Sequence, residues 1–399
     1  MRTEYELGEL LEYEQPTKYA VESTKYDDKY STPVLTAGKS FILGYTNETD
    51  GIYDNLPVII FDDFTTATQY VNFKFKVKSS AMKILKANEE LALTKYLYYL
   101  MQTIHCDHDT HKRYWIQTYS KIKVAIPDIT EQQCIVDKIE ELFSKLDKGV
   151  EELNKIKEQL KIYRQAVLKE AFEGKWKYYD RKAVNIDIID KNLIGELPEL
   201  PKEWGYVYLS KLGELSRGKS KHRPRNDKKL FEDGKYPFVQ TGDVKAANKY
   251  LTTYSTMYGD FGLAQSKLWK KGTLCITIAA NIAETCILGI DACFPDSVVG
   301  FDPQDGIVNR DYVRYFIEAS KIRLSAFAPA TAQKNINLTT LENLIIPYCD
   351  IDEQKYIVTE IESRLSVCDK IGQTVNESLQ KAESLRRSIL KQAFEGKLV

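Results

Sequence analysis

Glu131-Gln132-x-x-Ile135-Val136-x-x-Ile139-Glu140 opens a segment that ends Leu168-Lys169-x-Ala171-Phe172-Glu173-Gly174-Lys175. The same frame returns as Glu353-Gln354-x-x-Ile357-Val358-x-x-Ile361-Glu362, ending Leu390-Lys391-x-Ala393-Phe394-Glu395-Gly396-Lys397. About 18 of 45 aligned positions are identical without a gap, which marks an internal repeat. Apolar residues recur in steps of three and four through Ile135, Ile139, Leu142 and on to Tyr163, Val167 and Ala171. In the second copy they run through Ile357, Ile361, Leu365, Cys368, Ile371, Val375 and Leu385 to Ala393. That spacing is the seam of a coiled coil. Asp128 or Thr130 can cap the first helix and Gly174 can stop it. About 43 residues rising about 1.5 Å each predict a rod of roughly 65 Å. Two rods of matched length, each with an exposed stripe, are expected to bury it against each other.

Each helix follows a different globular stretch. In the first, residues 1–127, strand signals fall at Val34–Leu35, Phe41–Gly44, Leu56–Phe61, Tyr70–Val77 and Ile122–Ile126, with a helix over Leu91–Thr103. In the second, residues 205–347, they fall at Tyr206–Leu209, Tyr236–Gln240, Thr273–Ile278, Cys286–Ile290, Val298–Phe301 and Asn343–Pro347, with a helix over Asp311–Ser320. Both stretches end helix, polar loop, strand, Ile-Pro, acidic residue, Glu-Gln, so the duplication includes them. The organisation is therefore a first head at 1–127, a spacer helix at 128–175, a linker at 176–204 made extended by Pro198 and Pro201, a second head at 205–347 and a second spacer helix at 348–399. The fold class is α+β: two mixed α/β heads joined by two long helices in an antiparallel coiled coil, a pseudo-two-fold repeat.

With 399 residues, 43% apolar and 11% aromatic, the chain is large and apolar enough for two cores. A net charge of −1 excludes a global field toward nucleic acid or membrane, so any nucleic-acid site must be a local patch. The opening residues mix Glu and Tyr, and no long apolar run follows, so neither a signal peptide nor a membrane span is expected. Seven cysteines without paired spacing read as reduced thiols in the cytoplasm.

One local patch is clear. Arg217, Lys219, Lys221, Arg223, Arg225, Lys228 and Lys229 crowd one stretch, opposed only by Asp227. Such a stretch suits phosphate contacts, and arginine can also read guanine edges. Gly213–Ser220 matches the phosphate-loop pattern letter for letter, but the residues after it have no apolar face and Pro224 falls where a helix should start, so nucleotide binding is rejected. Pro33–Lys39 lines up with Pro237–Asp243, an apolar run followed by a polar glycine turn in both, which makes Thr36, Lys39, Gln240, Thr241 and Asp243 contact candidates. The loops before the last strand of each head add Lys112 and Arg113, and Gln333, Lys334 and Asn335. His105-Cys106-Asp107-His108-Asp109-Thr110-His111 looks metal-like but lacks a second ligand pair, so no metal is expected. The Asp62-Asp63 pair is expected to be solvated loop acid. No methyltransferase Pro-Pro-Tyr motif or dinucleotide glycine cluster is present, and no catalytic residue is assigned.

The ordered set of head, Ile-Pro, Glu-Gln, Ile-Val helix, seen twice, is similar to the specificity subunit of type I restriction-modification systems. The resemblance covers nearly the whole chain. It includes the Leu197-Pro198…Leu200-Pro201-x-x-Trp204 lead-in, the Val239-Gln240-Thr241-Gly242-Asp243-Val244 turn and the Ala-Phe-Glu-Gly-Lys helix ends. The first head lacks the tryptophan lead-in and offers Thr36-Ala37-Gly38-Lys39 at the turn. The resemblance implies a non-catalytic subunit whose heads are target recognition domains, each reading one half of a bipartite site on double-stranded DNA. It also implies that the helices set the gap and dock two methyltransferase subunits that bind S-adenosylmethionine, and that a motor-nuclease subunit using ATP and magnesium joins for restriction. This chain would hold no cofactor. The competing reading is a protein–protein scaffold with two heads on a coiled coil.

Overall fold

The computed structural model describes residues 2–36, 40–104, 114–190, 197–326 and 336–398. Its longest elements are the two spacer helices, Ile129–Phe172 and Ile351–Phe394. Both end through the same chemistry. Gly174 and Gly396 take φ values of +65° and +72°, a left-handed conformation that glycine adopts without strain. The following Lys175 and Lys397 donate their N–H groups back to Glu170 and Gln392, closing Schellman-type caps. The repeated Phe-Glu-Gly-Lys is thus a helix-stop signal.

The chain divides into two compact units, Met1–Lys155 with Thr374–Val399, and Ile156–Gln373, and the boundaries fall inside the spacer helices. In the first unit, Asp147 pairs with Arg386, whose guanidinium lies 4.2 Å from the Phe143 ring centre. In the second, Arg164 pairs with Asp369, and a Cβ at Gly372 would sit 3.9 Å from Leu160. Rising numbers on one helix meet falling numbers on the other, so the helices run antiparallel, as the repeat predicts. Tyr163, Ile371 and Leu385, expected in the seam, are instead exposed. A helix drifts against a strict 3.5-residue repeat, and the contact stripe moves to neighbours: Gly372 and Arg386 take the places assigned to Ile371 and Leu385.

In the first unit, Thr3–Glu6 pairs antiparallel with Lys123–Ile126. A four-stranded sheet runs Leu11–Glu14, Met82–Ala87, Val58–Asp62, Thr68–Val71, and a three-stranded one runs Ile42–Thr46, Thr32–Leu35, Lys76–Val77. The run Tyr70–Val77, expected as one strand, therefore serves two sheets. The helix Thr94–Met101 closes the core with Ile135, Ile139 and Phe143 of the first spacer and Ile389, Leu390 and Ala393 of the second. Asp62 and Asp63 are buried rather than solvated. Asp62 accepts from Phe64 N and Thr65 Oγ1, while Asp63 accepts from Trp115 N and lies 3.6 Å from the buried Lys83 ammonium.

The second unit repeats this plan. Gly205–Tyr208 pairs antiparallel with Ile345–Tyr348. A five-stranded sheet runs Gly213–Arg217, Val298–Pro303, Leu274–Thr277, Thr285–Leu288, Tyr250–Leu251, and a smaller one runs Thr256–Tyr258, Tyr236–Phe238, Ala292–Cys293, Leu268–Trp269. Thr32–Leu35 and Tyr236–Phe238 correspond in full: each has an antiparallel neighbour on one side and a parallel one on the other. The described parts of the linker, 176–190 and 197–204, pack as a strap. Trp176, Val184, Ile186 and Leu200 lie against the core, and the buried Glu353 carboxylate accepts from Arg181 Nε at 2.8 Å and Trp204 Nε1 at 2.9 Å.

The glutamine of each Glu-Gln pair fastens head to spacer. Gln354 accepts from Asn309 N at 2.8 Å and donates to Cys349 O and Ile307 O at 2.8 and 3.2 Å. Gln132 repeats this with Leu93 N, Leu91 O and Pro127 O. Both glutamines are wholly buried. Losing the amide strands buried backbone groups, so Gln354→Ala should destabilise the second unit by about 3 kcal/mol. Denaturant titration checks this, and a loss under about 1 kcal/mol would mean that water replaces the amide.

Candidate nucleic-acid interface

The site in the second head grows from the strand Tyr236–Phe238. Val239 N donates to Cys293 O, which carries the chain straight on from the strand to Gln240. The polar stretch after it is a helix, Thr241–Ala246, not the turn expected from Gly242. The reason is a cap: the Asp243 carboxylate accepts from Gln240 N at 2.8 Å and from Ser255 Oγ at 3.3 Å. Asp243 thereby shapes the site, while the exposed Gln240 side chain accepts in return from the Asp243 N–H and its Nε2 donates to Thr256 Oγ1 at 3.3 Å.

The basic stretch begins as an edge strand. Gly213–Arg217 pairs with Val298–Pro303 where a phosphate loop would need its turn. Its glycines serve close packing: a Cβ at Gly213 would sit 2.3 Å from Asp302 O, and one at Gly218 2.3 Å from Phe294 O and Pro295 O. Beyond the strand the loop is ordered by its own polar groups. Lys221 N donates to Gln265 O and Ser266 Oγ to Lys219 O. His222 Nε2 lies 2.8 Å from Asp227 Oδ2. That bond, followed by the Lys229 N–H, holds the Asp227 carboxyl below the usual carboxylate range.

The basic side chains divide by occupation. Arg223 is turned onto Ser220 O and His222 O. Arg217 donates to Asp296 O, and Arg225 donates to both Asp296 carboxylate oxygens at 2.8 and 2.9 Å. Lys219, Lys221, Lys228 and Lys229 are exposed. None of the four has an ion-pair partner among the described residues. A cleft of about 460 Å³ brings the two candidate groups together: Arg225, Asn226 and Ser220 from the loop meet Gln240 and Thr241 from the strand end. Its apolar side is Phe231, Phe238 and Tyr258, with Phe238 and Tyr258 stacked at 4.0 Å. Donors, acceptors and cations around an apolar floor can hydrogen-bond base edges and contact phosphate. Sequence reading missed Asn226, Ser297 and Asp296. Asp296 is far from Arg225 in sequence, and no local pattern announces the pairing.

In the first head, Thr36 follows the corresponding strand and its N–H donates to Phe41 O. Lys39, Lys112, Arg113, Gln333, Lys334 and Asn335 lie outside the described residues, as does the histidine-rich stretch at 105–111. Among the described residues no group of three or more His, Cys, Asp or Glu could hold a metal, and no helix is long and apolar enough to cross a membrane.

The chain thus carries two duplicated heads on paired helices, and the second head has a cleft beside a basic loop. A family model described as the type I restriction modification DNA specificity domain matches residues 201–381. The specificity subunit of the Escherichia coli type I restriction enzymes EcoR124I/EcoR124II is 31% identical over 96% of this chain and 90% of its own length. That of EcoBI, also from Escherichia coli, is 26% identical over 71% of this chain and 60% of its own. Among solved structures, a chain from work on complex assembly and conformational transition of a type I restriction-modification system superposes with a TM-score of 0.70 at 16% identity, covering 98% of this chain and 100% of that one. The HsdS subunit of Thermoanaerobacter tengcongensis gives 0.54 at 17% identity, covering 99% and 97%. The chain belongs to the family of type I restriction enzyme specificity subunits, the non-catalytic components that give such systems their DNA sequence specificity.

Proposed function

We propose that each head reads one half of a bipartite, asymmetric site on double-stranded DNA, and that the paired spacer helices set the gap between the halves. The observation that carries this reading is the cleft where Arg225 and Asn226 meet Gln240 and Thr241. The exposed lysines beside it supply phosphate contacts, and the cleft supplies base contacts. Thr36, Lys39, Lys112 and Arg113 serve the first head, and Gln333, Lys334 and Asn335 complete the second. The duplicated fastening of head to spacer through Gln132 and Gln354 favours two equivalent readers.

The spacer helices also dock two methyltransferase subunits in the cytoplasm. Methylation within a duplex needs the base turned out of the stack, so the partners must reach the DNA beside each head. S-adenosylmethionine belongs to those partners, and ATP and magnesium to a motor-nuclease subunit that joins for restriction.

Salt dependence tests the reading. Lys219→Ala with Lys221→Ala should weaken binding to cognate and unrelated duplexes alike and lower the slope of log affinity against log salt by about two. Binding that is indifferent to salt would favour the scaffold reading, since protein partners release no condensed counterions.

A further inference from the structure

Arg225 is anchored by one nitrogen only. Its Nη2 donates to both carboxylate oxygens of Asp296, at 2.8 and 2.9 Å, while Nη1 and Nε have no bond among the described residues. Asp296 is itself held. Its carbonyl accepts from Arg217 Nε at 2.9 Å, and the flanking Pro295 accepts the N–H of Val298 at the start of the next strand. Gly218, at the root of the basic loop, approaches Phe294 O and Pro295 O so closely that only a residue without Cβ fits. The turn carrying Asp296 and the loop carrying Arg225 are therefore fixed against each other at the cleft, whose lining includes Arg225 and Asn226 from the loop and Pro295 and Ser297 from the turn.

The magnitude of the pair argues against a role in stability. Both side chains are about half exposed, at 51% and 40%, and an ion pair in that setting contributes little to folding. What it supplies is direction. A long arginine left free spreads over many rotamers, and ordering it on binding costs conformational entropy. Held through one Nη2 hydrogen shared between the two carboxylate oxygens, the planar guanidinium keeps four N–H donors, and the remaining Nη2 hydrogen with that of a neighbouring nitrogen still makes a parallel pair suited to the two acceptors on the major-groove edge of guanine.

We infer that Asp296 is a positioning residue for recognition: it aims Arg225 for base readout and, by its charge, keeps that arginine from acting as an indiscriminate phosphate contact. The inference rests on the proposed reading of the cleft and adds a residue that does not itself touch a base.

The test uses the full chain with its methyltransferase partner and duplexes carrying the motif that the host methylome defines, together with single-base variants in each half. Asp296→Asn should reduce discrimination at one base pair about tenfold, raise affinity for unrelated duplex a few-fold, and leave the melting temperature unchanged. Asp296→Glu should restore much of the discrimination. Arg225→Ala should lose discrimination at the same base pair. If Arg225→Ala loses it and Asp296→Asn does not, or if Asp296→Asn weakens cognate and variant duplexes equally, the role of Asp296 is overturned while the cleft reading stands. If Arg225→Ala changes discrimination nowhere, both fall.

Discussion

Exchanging residues 205–347 for the corresponding head of a relative with another target should change one half-site and leave the other untouched. The reason lies in how each unit is built. The second head shares its core with the spacer helices through Tyr312, Phe316, Phe172, Ile357 and Ile361, and it fastens to them through Gln354. The first head has its own core and its own glutamine. The described lining of the cleft belongs to the second head: its strand end, its basic loop and its Asp296 turn all lie between residues 217 and 297. Each wrong base pair in the exchanged half should cost about 1–3 kcal/mol, and positions in the other half should keep their original preferences. Binding assays with half-by-half variant duplexes read this directly. A chimera altered in both halves would mean that the heads do not read independently. The junctions matter, because a transplanted head must still offer a backbone N–H to Gln354 and an aromatic face to Phe172.

Removing seven residues from each spacer helix, at 150–156 and 377–383, should shorten the tolerated gap between the halves. Two turns of helix account for about 10 Å, which sets an upper bound near three base pairs at about 3.4 Å each. Matched deletions keep the antiparallel partners aligned, since Asp147 with Arg386 and Arg164 with Asp369 flank the excised turns. A deletion in one helix only would shift one side of the seam past the other and should reduce stability instead. An unchanged gap after the matched deletion would end the idea that the helices measure DNA.

Much of this architecture was legible in the sequence because it is written in long, repetitive signals. The spacer helices repeat their seam over many turns, and their ends carry glycine at a position that requires positive φ. Three seam positions were misplaced, since a heptad count does not follow the drift of a straight helix; Gly372 and Arg386 show where the stripe actually runs. Short strands such as Leu11–Glu14 and Thr256–Tyr258 went unread because they are half polar and take their place from tertiary pairing. In the site, the strand end at Gln240 and the basic stretch were both visible. Their meeting in one cleft was not, because it depends on how Tyr236–Phe238 pairs with Ala292–Cys293. The helix at Thr241 was readable in principle: Gln240 and Asp243 stand at capping-box spacing, but Gly242 between them suggested a turn. Asp63 is buried beside a partner distant in sequence, Lys83, which no local pattern announces, while Asp62 is satisfied by its own turn through Phe64 N and Thr65 Oγ1.

The most direct test is methylome sequencing of a host that expresses the partner methyltransferase, with and without this chain. Methylation dependent on this chain should fall on one asymmetric motif: two short specified blocks separated by a fixed number of unspecified bases. Methylation at a single uninterrupted motif, or at two blocks with a freely varying gap, would contradict the bipartite reading.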